Sequence, residues 1–322
     1  MSVPRAPVAG AASVDAGGSD EGAQPPRLSG RIAIVGRPNV GKSTLLNRLI
    51  GTKLAIVSKR PQTTRSNLLG ILTRGDRQFG FVDTPGLQDN RSGHQSRTYN
   101  REAIQALDGV DAVAWVVEAG RFGPEDQAVG RALPASLPVV LVINKIDQLQ
   151  DKRKLLPVID RVRRERDFSA IVPVSAEHDP SFDPLLDALA LHLPEQDALY
   201  EPEALTDRGE RYFAGEILRE KLFRFLGAEL PYECDVSIDH FEELPRLRRI
   251  YATITVAKQG QKAIVIGEKG VQLKAIATAA RHDMEALFGC KVFMELWVKV
   301  QRARARPGAS QDIALPGDTG QD

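Results

Sequence analysis

The sequence has little cysteine, few aromatic residues and no long apolar segment. Its two cysteines, Cys234 and Cys290, are too few and too far apart for a disulfide framework or a metal knuckle. No apolar run approaches the ~20 residues that a membrane-spanning helix needs. The first 29 residues lack the apolar core of a signal peptide and contain acidic residues, unlike a transit peptide, so residues 1–29 are predicted to be a disordered tail. These absences favour a cytoplasmic protein.

The overall composition indicates a water-soluble globular protein, and the length of 322 residues suggests two domains. Hydrophobic residues make up 42% of the chain and charged residues 26%. The net charge of +1 neither supports nor excludes a nucleic-acid partner, so charge has to be examined region by region.

The first domain, predicted over residues 30–195, alternates compact apolar runs with segments of helical length. Such alternation indicates an α/β fold with a mostly parallel sheet covered on both faces. The run at 67–75 is followed almost without a gap by the run at 78–83. This spacing predicts that the first of the two is an antiparallel hairpin partner at the sheet edge. Strands are predicted at 31–36, 67–75, 78–83, 111–117, 137–144 and 169–175, and helices at 93–107, 124–132, 151–166 and 182–193.

The second domain, predicted over residues 207–302, is an α+β unit that follows a linker at 196–206. Its order is a helix at 207–226, strands at 232–241 and 248–257, the segment 263–276 and a last strand at 291–300. The segment "AIVIGEKGVQLKAI" has two interpretations. It is either a short strand, a glycine loop and a helix, or a short helix, the loop and a longer helix, which would give the order α-β-β-α-α-β. Residues 303–322 are predicted to be a disordered tail.

The stretch "GRPNVGKS" at residues 36–43 lies between a predicted strand and a predicted helix, the setting of a phosphate-binding loop. Gly36 and Gly41 would let successive N–H groups converge on an anion at a helix N-terminus. Lys42 would place a charge on the β- and γ-phosphates, and Ser43 a hydroxyl on Mg²⁺. The loop therefore predicts binding of a nucleoside triphosphate.

Two further stretches indicate which base is bound. "NKID" follows the predicted strand 137–144, at the edge where α/β sheets place ligands. Asp147 can accept hydrogen bonds from guanine N1–H and the exocyclic amine, a pair of donors that adenine lacks. Asn144 can bond the purine N7 and brace neighbouring loops, the Lys145 stem can cover the base, and the Ala176 N–H of "SAE" can meet guanine O6. The predicted guanine site comprises Asn144, Lys145, Asp147, Ser175, Ala176 and Glu177.

Two more segments are predicted to respond to the γ-phosphate. In "DTPG", Asp83 can hold Mg²⁺ through water, and the Gly86 N–H can meet the γ-phosphate. In "QTTR", Thr64 is the expected second hydroxyl on Mg²⁺, with Thr63 as the alternative. Leu87 follows Gly86, where signal-transducing GTPases place a glutamine that orients the attacking water. Some other group must therefore place that water, whether a backbone atom, a cation or a partner residue, and intrinsic turnover should be slow.

The second glycine loop, at Gly267–Gly270, suits a different phosphate. A loop of this kind can clamp the backbone of about four single-stranded nucleotides, although a lone Gly-x-x-Gly is more often an ordinary turn. Residues 244–306 contain 13 Lys and Arg against 4 Asp and Glu, whereas residues 207–243 contain 5 against 10. This polarity favours RNA, even though "RLRR" at 246–249 alone could be a solvated turn. The predicted RNA-binding residues are Ile264, Ile266, Gly267, Glu268, Lys269, Gly270 and Lys274.

In combination, "GRPNVGKSTLLN", "QTTR", "DTPG", "NKID", "REKLFRFLGAELPY" and the "VIGEKG" loop resemble the Era family of bacterial GTPases over about residues 31–300. The resemblance implies a Ras-like domain and a type II KH domain that binds the 3′ end of 16S ribosomal RNA during small-subunit assembly. It implies GTP or GDP and Mg²⁺ as ligands, K⁺ held by Asn39, and Val40 and Thr44 as further loop residues that bind the nucleotide. It also implies a monomer in the cytoplasm with weak peripheral attachment to the inner face of the membrane.

The sequence supports a GTP-hydrolysing switch in which Lys42, Thr64, Gly86 and Asn39 serve catalysis. Two alternatives stay open. In one, the chain is an RNA-binding scaffold stabilised by GTP, and hydrolysis is incidental. In the other, it is a related GTPase acting on a different RNA.

Overall fold

The computed structural model describes residues 26–57, 67–87, 101, 103–151, 153, 155–227 and 229–301. The predicted Mg²⁺ ligand Thr64 and its alternative Thr63 lie outside these residues. So do most of the predicted tails and the first part of the predicted helix at 93–107, although residues 103–105 are helical. Among the described helices, none is long and apolar enough to cross a membrane.

The first sheet has six strands in the order β2-β3-β1-β4-β5-β6. Neighbouring strands are parallel except β2 and β3, which form the predicted antiparallel hairpin at the edge. The predicted α/β fold is therefore confirmed. The strands are β1 (Leu28–Val35), β2 (Leu68–Arg74), β3 (Arg77–Asp83), β4 (Ala112–Glu118), β5 (Val139–Asn144) and β6 (Ala170–Pro173), and the helices are α1 (Lys42–Ile50), α2 (Pro124–Ala132), α3 (Leu155–Val162) and α4 (Asp183–Ala190).

The strands of this sheet are apolar almost throughout because both faces are buried. In β1, Ile32 and Ile34 contribute to one apolar cluster, while Ala33 and Val35 contribute to another. Successive residues of a strand point to opposite faces, so the two clusters lie on the two sides of the sheet. The carboxyl ends of the parallel strands are thereby held at one edge, where the predicted ligand loops follow.

The segment between the two halves is bonded to the first sheet. The Gln196 side chain donates to Ser29 O at 2.7 Å, the Tyr200 N–H donates to Gln78 Oε1 at 2.9 Å, and the Ile71 N–H donates to Leu205 O at 2.8 Å. The chain therefore runs along the first sheet before the second half begins.

The second half has the order α-β-β-α-α-β. Its sheet has the strand order β7-β8-β9, with β7 antiparallel and β9 parallel to β8. A one-turn helix precedes β7, and a 3₁₀ turn over 268–270 separates the last two helices. The elements are α5 (Glu210–Phe225), α6 (Leu230–Glu233), β7 (Asp235–Leu244), β8 (Leu247–Val256), α7 (Gln259–Ile266), α8 (Val271–Phe288) and β9 (Lys291–Val300).

The strand interpretation of residues 263–266 is wrong, and the helical alternative is correct. These residues form the end of α7, which begins with the Gln261 side chain accepting the Lys258 N–H at 2.9 Å. Val265 is fully buried while Ile264 is 58% exposed. Ile264 and Ile266, predicted to lie on a strand before the glycine loop, therefore lie on a helix.

Candidate functional site

The predicted phosphate loop joins the end of β1 at Val35 to the start of α1 at Lys42. Gly36 and Gly41 have φ angles of +154° and +101°, and a Cβ atom on Gly36 would lie 2.4 Å from Val116 O. The loop can therefore curl over the N-terminus of α1 only with glycine at these positions. The N–H groups at a helix N-terminus attract anions, so the geometry suits a phosphate.

Lys42 is buried in this loop, where its ammonium donates to Gly36 O and Arg37 O, both at 3.1 Å. Burial lowers the pKa of Lys42 to about 8, against the opposing effect of Asp83, which raises it. A buried cation without a strong counter-ion gains most from an arriving anion. The side chain is thus placed to bind phosphate.

Two of the residues predicted to hold Mg²⁺, Ser43 and Asp83, meet beside the loop. Ser43 Oγ donates to Asp83 Oδ2 at 2.7 Å, and Asp83 is buried at the end of β3. The hydroxyl of Thr84 donates to Ile34 O at 2.9 Å and fixes the start of the next segment. Hydroxyl and carboxylate oxygens are the ligands that Mg²⁺ prefers, so Ser43 and Asp83 fit this ion.

The segment after β3 touches the phosphate loop. A Cβ atom on Gly86 would lie 2.7 Å from Pro38 N, and the Leu87 N–H donates to Gly36 O at 3.3 Å. The Leu87 side chain is buried in the apolar cluster that also contains Val35. Gly86 therefore lies directly against the phosphate loop, while the leucine side chain contributes packing.

Asn144 ties three loops together at the carboxyl edge of the sheet. Its Nδ2 donates to Val40 O at 2.8 Å, and its Oδ1 accepts the Lys145 N–H at 2.8 Å and the Ala176 N–H at 2.9 Å. The bracing predicted for Asn144 is present. The Ala176 N–H, predicted to face guanine O6, donates to Asn144 Oδ1 in this structure. To contact guanine O6 as well, this N–H would have to donate to both oxygens. Asp147 Oδ1 accepts from Ser175 Oγ at 2.5 Å, which brings the two predicted base-binding stretches into contact.

Sequence reasoning missed a buried ion-pair network behind these loops. Arg37 Nη2 lies 2.6 Å from Glu118 Oε2, and Arg37 Nε lies 3.2 Å from Asp126 Oδ1. Glu118 also contacts the ammonium of Lys145 at 3.3 Å. Hydrogen bonding to Arg37 and attraction by Lys145 outweigh burial and keep the pKa of Glu118 below its usual value. Glu118 thus links the phosphate loop to the predicted guanine loop, a link that no local motif shows.

The second glycine loop lies between α7 and α8. Gly267, Lys269 and Gly270 all have positive φ angles, of +73°, +49° and +80°. The side chains of Glu268, Lys269 and Lys274 are exposed, while Ile266 is partly buried against the apolar cluster around Val265. An exposed apolar residue that sequence reasoning missed, Val271, is 67% exposed at the first position of α8. Together with Ile264 it flanks a loop that carries one exposed lysine, Lys269.

Part of the basic character predicted around this loop is neutralised. Arg248 is paired with Glu210, and Arg249 Nη1 lies 3.4 Å from Glu242 Oε2. Two of the three arginines of "RLRR" thus bind the acidic first part of the second half. Lys269 and Lys274, at the glycine loop and in the first turns of α8, are exposed, and neither forms an ion pair with another described residue.

The two halves meet at the loop that follows α1. Lys53 Nζ contacts Glu220 Oε1 at 2.8 Å on α5 and Asp283 Oδ2 at 3.0 Å on α8. Beside these contacts is a cavity of about 320 Å³ lined by Leu54, Phe213 and Leu287, among others. Lys53 thus joins the first half to two helices of the second half.

The fold and site define a P-loop domain for guanine nucleotides joined to a KH domain. The family model described as a 50S ribosome-binding GTPase matches residues 31–145, and that of the KH domain matches residues 229–305. The chain is 50% identical over 273 residues to GTPase Era of Nitrosomonas eutropha, covering 85% of this chain and 92% of that relative. It is 49% identical over 290 residues to GTPase Era of Xanthomonas campestris pv. campestris, covering 90% and 96%. The chain belongs to the GTPase Era family.

Two solved structures resemble the whole fold. One is a variant of Aquifex aeolicus Era bound to GDP and AlF4⁻, and the other is Era in complex with MgGDPNP and nucleotides 1506–1542 of 16S ribosomal RNA. Each has a TM-score of 0.81 and 35% identity over 86% of this chain, which covers 95% and 94% of the respective structures. The family resemblance, the GTPase domain and the KH domain expected from the sequence are confirmed.

Proposed function

We infer that this chain hydrolyses GTP and uses its nucleotide state to time the binding of 16S ribosomal RNA during assembly of the small ribosomal subunit. The observation that carries the inference is the similar structure that contains MgGDPNP and an RNA segment at once. Its likeness extends over 86% of this chain, so it includes both halves. The family model that names the 50S subunit matches only residues 31–145, and the more extensive likeness favours the small subunit.

The first half binds the nucleotide and the second half binds the RNA. Residues 30–195 form the GTP-binding domain, 196–206 the linker and 207–302 the RNA-binding domain. Nucleotide is bound by the loop 36–44, by Asp83 and Gly86, and by the two guanine stretches. The RNA backbone is bound at Gly267–Gly270, with Lys269 and Lys274 supplying charge. The RNA-contacting residues are Ile264, Ile266, Gly267, Glu268, Lys269, Gly270 and Lys274.

Hydrolysis depends on positioning and charge neutralisation rather than on a covalent step. Ser43 and Thr64, with Asp83 acting through water, would hold Mg²⁺, which would supply positive charge to the phosphates. Lys42 adds a second cation, and the Gly86 N–H meets the γ-phosphate. The Leu87 side chain offers no polar atom, so a K⁺ ion held by Asn39 is the proposed source of further positive charge.

The switch model requires that the two halves communicate. The Lys53 contacts with Glu220 and Asp283 supply a route, because the loop containing Lys53 leads towards Thr64. In the alternative scaffold model, GTP only stabilises the fold and RNA affinity is the same in every nucleotide state. Measuring RNA affinity with a GTP analogue, with GDP and with Lys42→Ala separates the two models.

The RNA-binding assignment is tested by Gly270→Asp. A Cβ atom on Gly270 has no neighbour within 4 Å, whereas one on Gly267 would lie 2.6 Å from Gln272 Cβ. Gly270→Asp therefore adds a repelling charge with less disruption than Gly267→Asp. Gly75→Asp is the matched control, because Gly75 also has a positive φ, of +59°, and open space, but lies in the β2–β3 turn. RNA binding should be weakened in Gly270→Asp and unchanged in Gly75→Asp. Equal RNA binding by the two variants would show that the glycine loop does not contact the RNA.

We also propose that the protein acts as a monomer in the cytoplasm, with weak peripheral attachment to the inner face of the membrane. Fractionation of cells with and without a high-salt wash tests the attachment. Light scattering of the purified chain tests the oligomeric state. Crosslinking of the protein to total cellular RNA tests the identity of the RNA. If the main crosslinked RNA is not 16S ribosomal RNA, the alternative of a related GTPase that acts on a different RNA is favoured.

A further inference from the structure

The three-stranded sheet of the KH domain has one face that none of the described helices covers. Ile254 and Val298 point inward and pack in one apolar cluster with Val265 of α7 and Ile276 of α8. The alternate residues of each strand point to the other side, which we call the outer face. Its residues on β8 and β9 are Arg249, Tyr251, Thr253, Thr255, Phe293, Glu295, Trp297 and Lys299.

Aromatic side chains form a continuous group on the outer face. The rings of Tyr251 and Trp297 stack with centroids 6.0 Å apart and planes 15° apart, and Phe293 lies 6.1 Å from Tyr251. His240 on β7 extends the group, 5.8 Å from Tyr251. Phe293 is 47% exposed and Trp297 is 40% exposed. Tyr251 thereby joins the two exposed rings into one contiguous apolar surface, a feature found at binding sites.

The charges around these rings favour a polyanion at the β9 side. From residue 291 to residue 306 the sequence contains five basic residues and one acidic residue, Glu295. Of the basic residues, Lys291 and Lys299 are exposed on β9. The opposite edge strand, β7, is acidic, with Asp235, Asp239, Glu242 and Glu243. A nucleic acid would therefore lie along β9 and avoid β7.

Aromatic rings next to basic side chains are the combination by which proteins hold single-stranded nucleic acid, because every base has a face that can stack. Both large apolar side chains that are exposed on this face, Phe293 and Trp297, are aromatic, and Lys299 lies on the same strand. The outer face also lies on the side of the sheet opposite α7 and α8, which flank the glycine loop. It is thus a separate surface from Gly267–Gly270.

We propose that the outer face is a second contact for single-stranded RNA, in which bases stack on Phe293 and Trp297 while Lys299 meets the backbone. This inference rests on the proposed RNA-binding function and extends the bound strand beyond the nucleotides held at the glycine loop. RNA long enough to leave that loop and pass the edge of the sheet would use both surfaces.

Trp297 provides a direct optical test. The chain has two tryptophans, and the other, Trp115, is fully buried in the first domain. Titration of the full chain with a single-stranded oligoribonucleotide matching the 3′ end of 16S ribosomal RNA should quench the tryptophan fluorescence and protect it from acrylamide. Binding detected by anisotropy of labelled RNA, without any change in tryptophan emission, would overturn the proposal.

Substitutions distinguish stacking from general apolar contact. Trp297→Ala should weaken binding of this oligonucleotide about tenfold, and Trp297→Phe should restore most of the loss. Trp297→Leu should behave like Trp297→Ala; binding equal to wild type by Trp297→Leu or Trp297→Ala would refute stacking. Leu191→Ala, an exposed apolar truncation in the first domain, should change nothing. Circular dichroism melting confirms that each variant is folded.

Failure of the inference is distinguishable from failure of the proposed function. If wild-type protein binds no RNA at all, the proposed function itself fails. If Gly270→Asp weakens binding and the Trp297 variants do not, the function stands and the outer face is not a contact. Losses in both sets of variants support two surfaces.

Discussion

Replacement of Asn144 by alanine is expected to weaken GDP and GTP binding by on the order of a hundredfold. The side chain is 2% exposed and makes three hydrogen bonds of 2.8 to 2.9 Å, to Val40 O, the Lys145 N–H and the Ala176 N–H. A net contribution of about 1 kcal/mol for each bond gives about 3 kcal/mol. If this energy holds the three loops in the geometry that binds nucleotide, its loss lowers the nucleotide affinity by a factor of about a hundred.

Isothermal titration calorimetry with GDP and urea unfolding provide the two readouts. Gln127→Ala is the matched control, since it removes a similar amide whose hydrogen bond, to Glu165, is exposed. Asn144→Asp keeps the oxygen that accepts both N–H groups but places a second oxygen against Val40 O, so it should be at least as damaging as Asn144→Ala. GDP affinity within threefold of wild type in Asn144→Ala would refute the bracing role.

Gly41→Ala offers an independent check on the packing of the Asn144 side chain against the phosphate loop. A Cβ atom on Gly41 would lie 2.2 Å from Asn144 Nδ2, and the φ angle of +101° adds strain. Combining Gly41→Ala with Asn144→Ala should cost less than the sum of the two separate losses, because the clash disappears with the amide. Strict additivity would show that the two residues act independently.

Four further predictions concern other contacts. Glu118→Gln should raise the KM for GTP with kcat little changed, because it loosens Arg37 and Lys145 together; unchanged steady-state kinetics would contradict this. Leu87→Gln should lower the free energy of unfolding measured in urea without accelerating hydrolysis, since the side chain is buried; a faster enzyme would show that this position faces water. Hydrolysis should be faster in K⁺ than in Na⁺, and Asn39→Ala should abolish the difference; equal rates in both salts would exclude the K⁺ proposal. Lys53→Ala should reduce the dependence of RNA affinity on nucleotide, whereas Arg153→Ala, which removes an exposed local pair, should not.

Much of the fold could be predicted because the signal is local. α2 and β9 have the predicted bounds, and the β2–β3 hairpin lies at the predicted edge. The strand interpretation of 263–266 failed because its isoleucine and valine residues favour β structure in isolation. Gln261 at the start of α7 and Gly267 at its end, with burial of Val265 alone, favour a helix instead.

The candidate site likewise has a part that local motifs predict and a part that depends on tertiary packing. Gly36–Ser43, Asp83 and Asn144 fall at strand ends where the motifs placed them, because each motif is fixed by its own strand and loop. The Arg37–Glu118 pair joins residues 81 positions apart, and the stacking of Tyr251 on Trp297 depends on the register of β8 with β9. Such contacts follow from tertiary packing, and the sequence carries no local mark of them.

Binding of the 16S 3′-end oligonucleotide to the full chain, measured by fluorescence anisotropy with a non-hydrolysable GTP analogue and then with GDP, tests the central claim most directly. The account predicts tighter binding in the triphosphate state, and a difference that shrinks in Lys42→Ala. The same affinity with the analogue, with GDP and without nucleotide would contradict it.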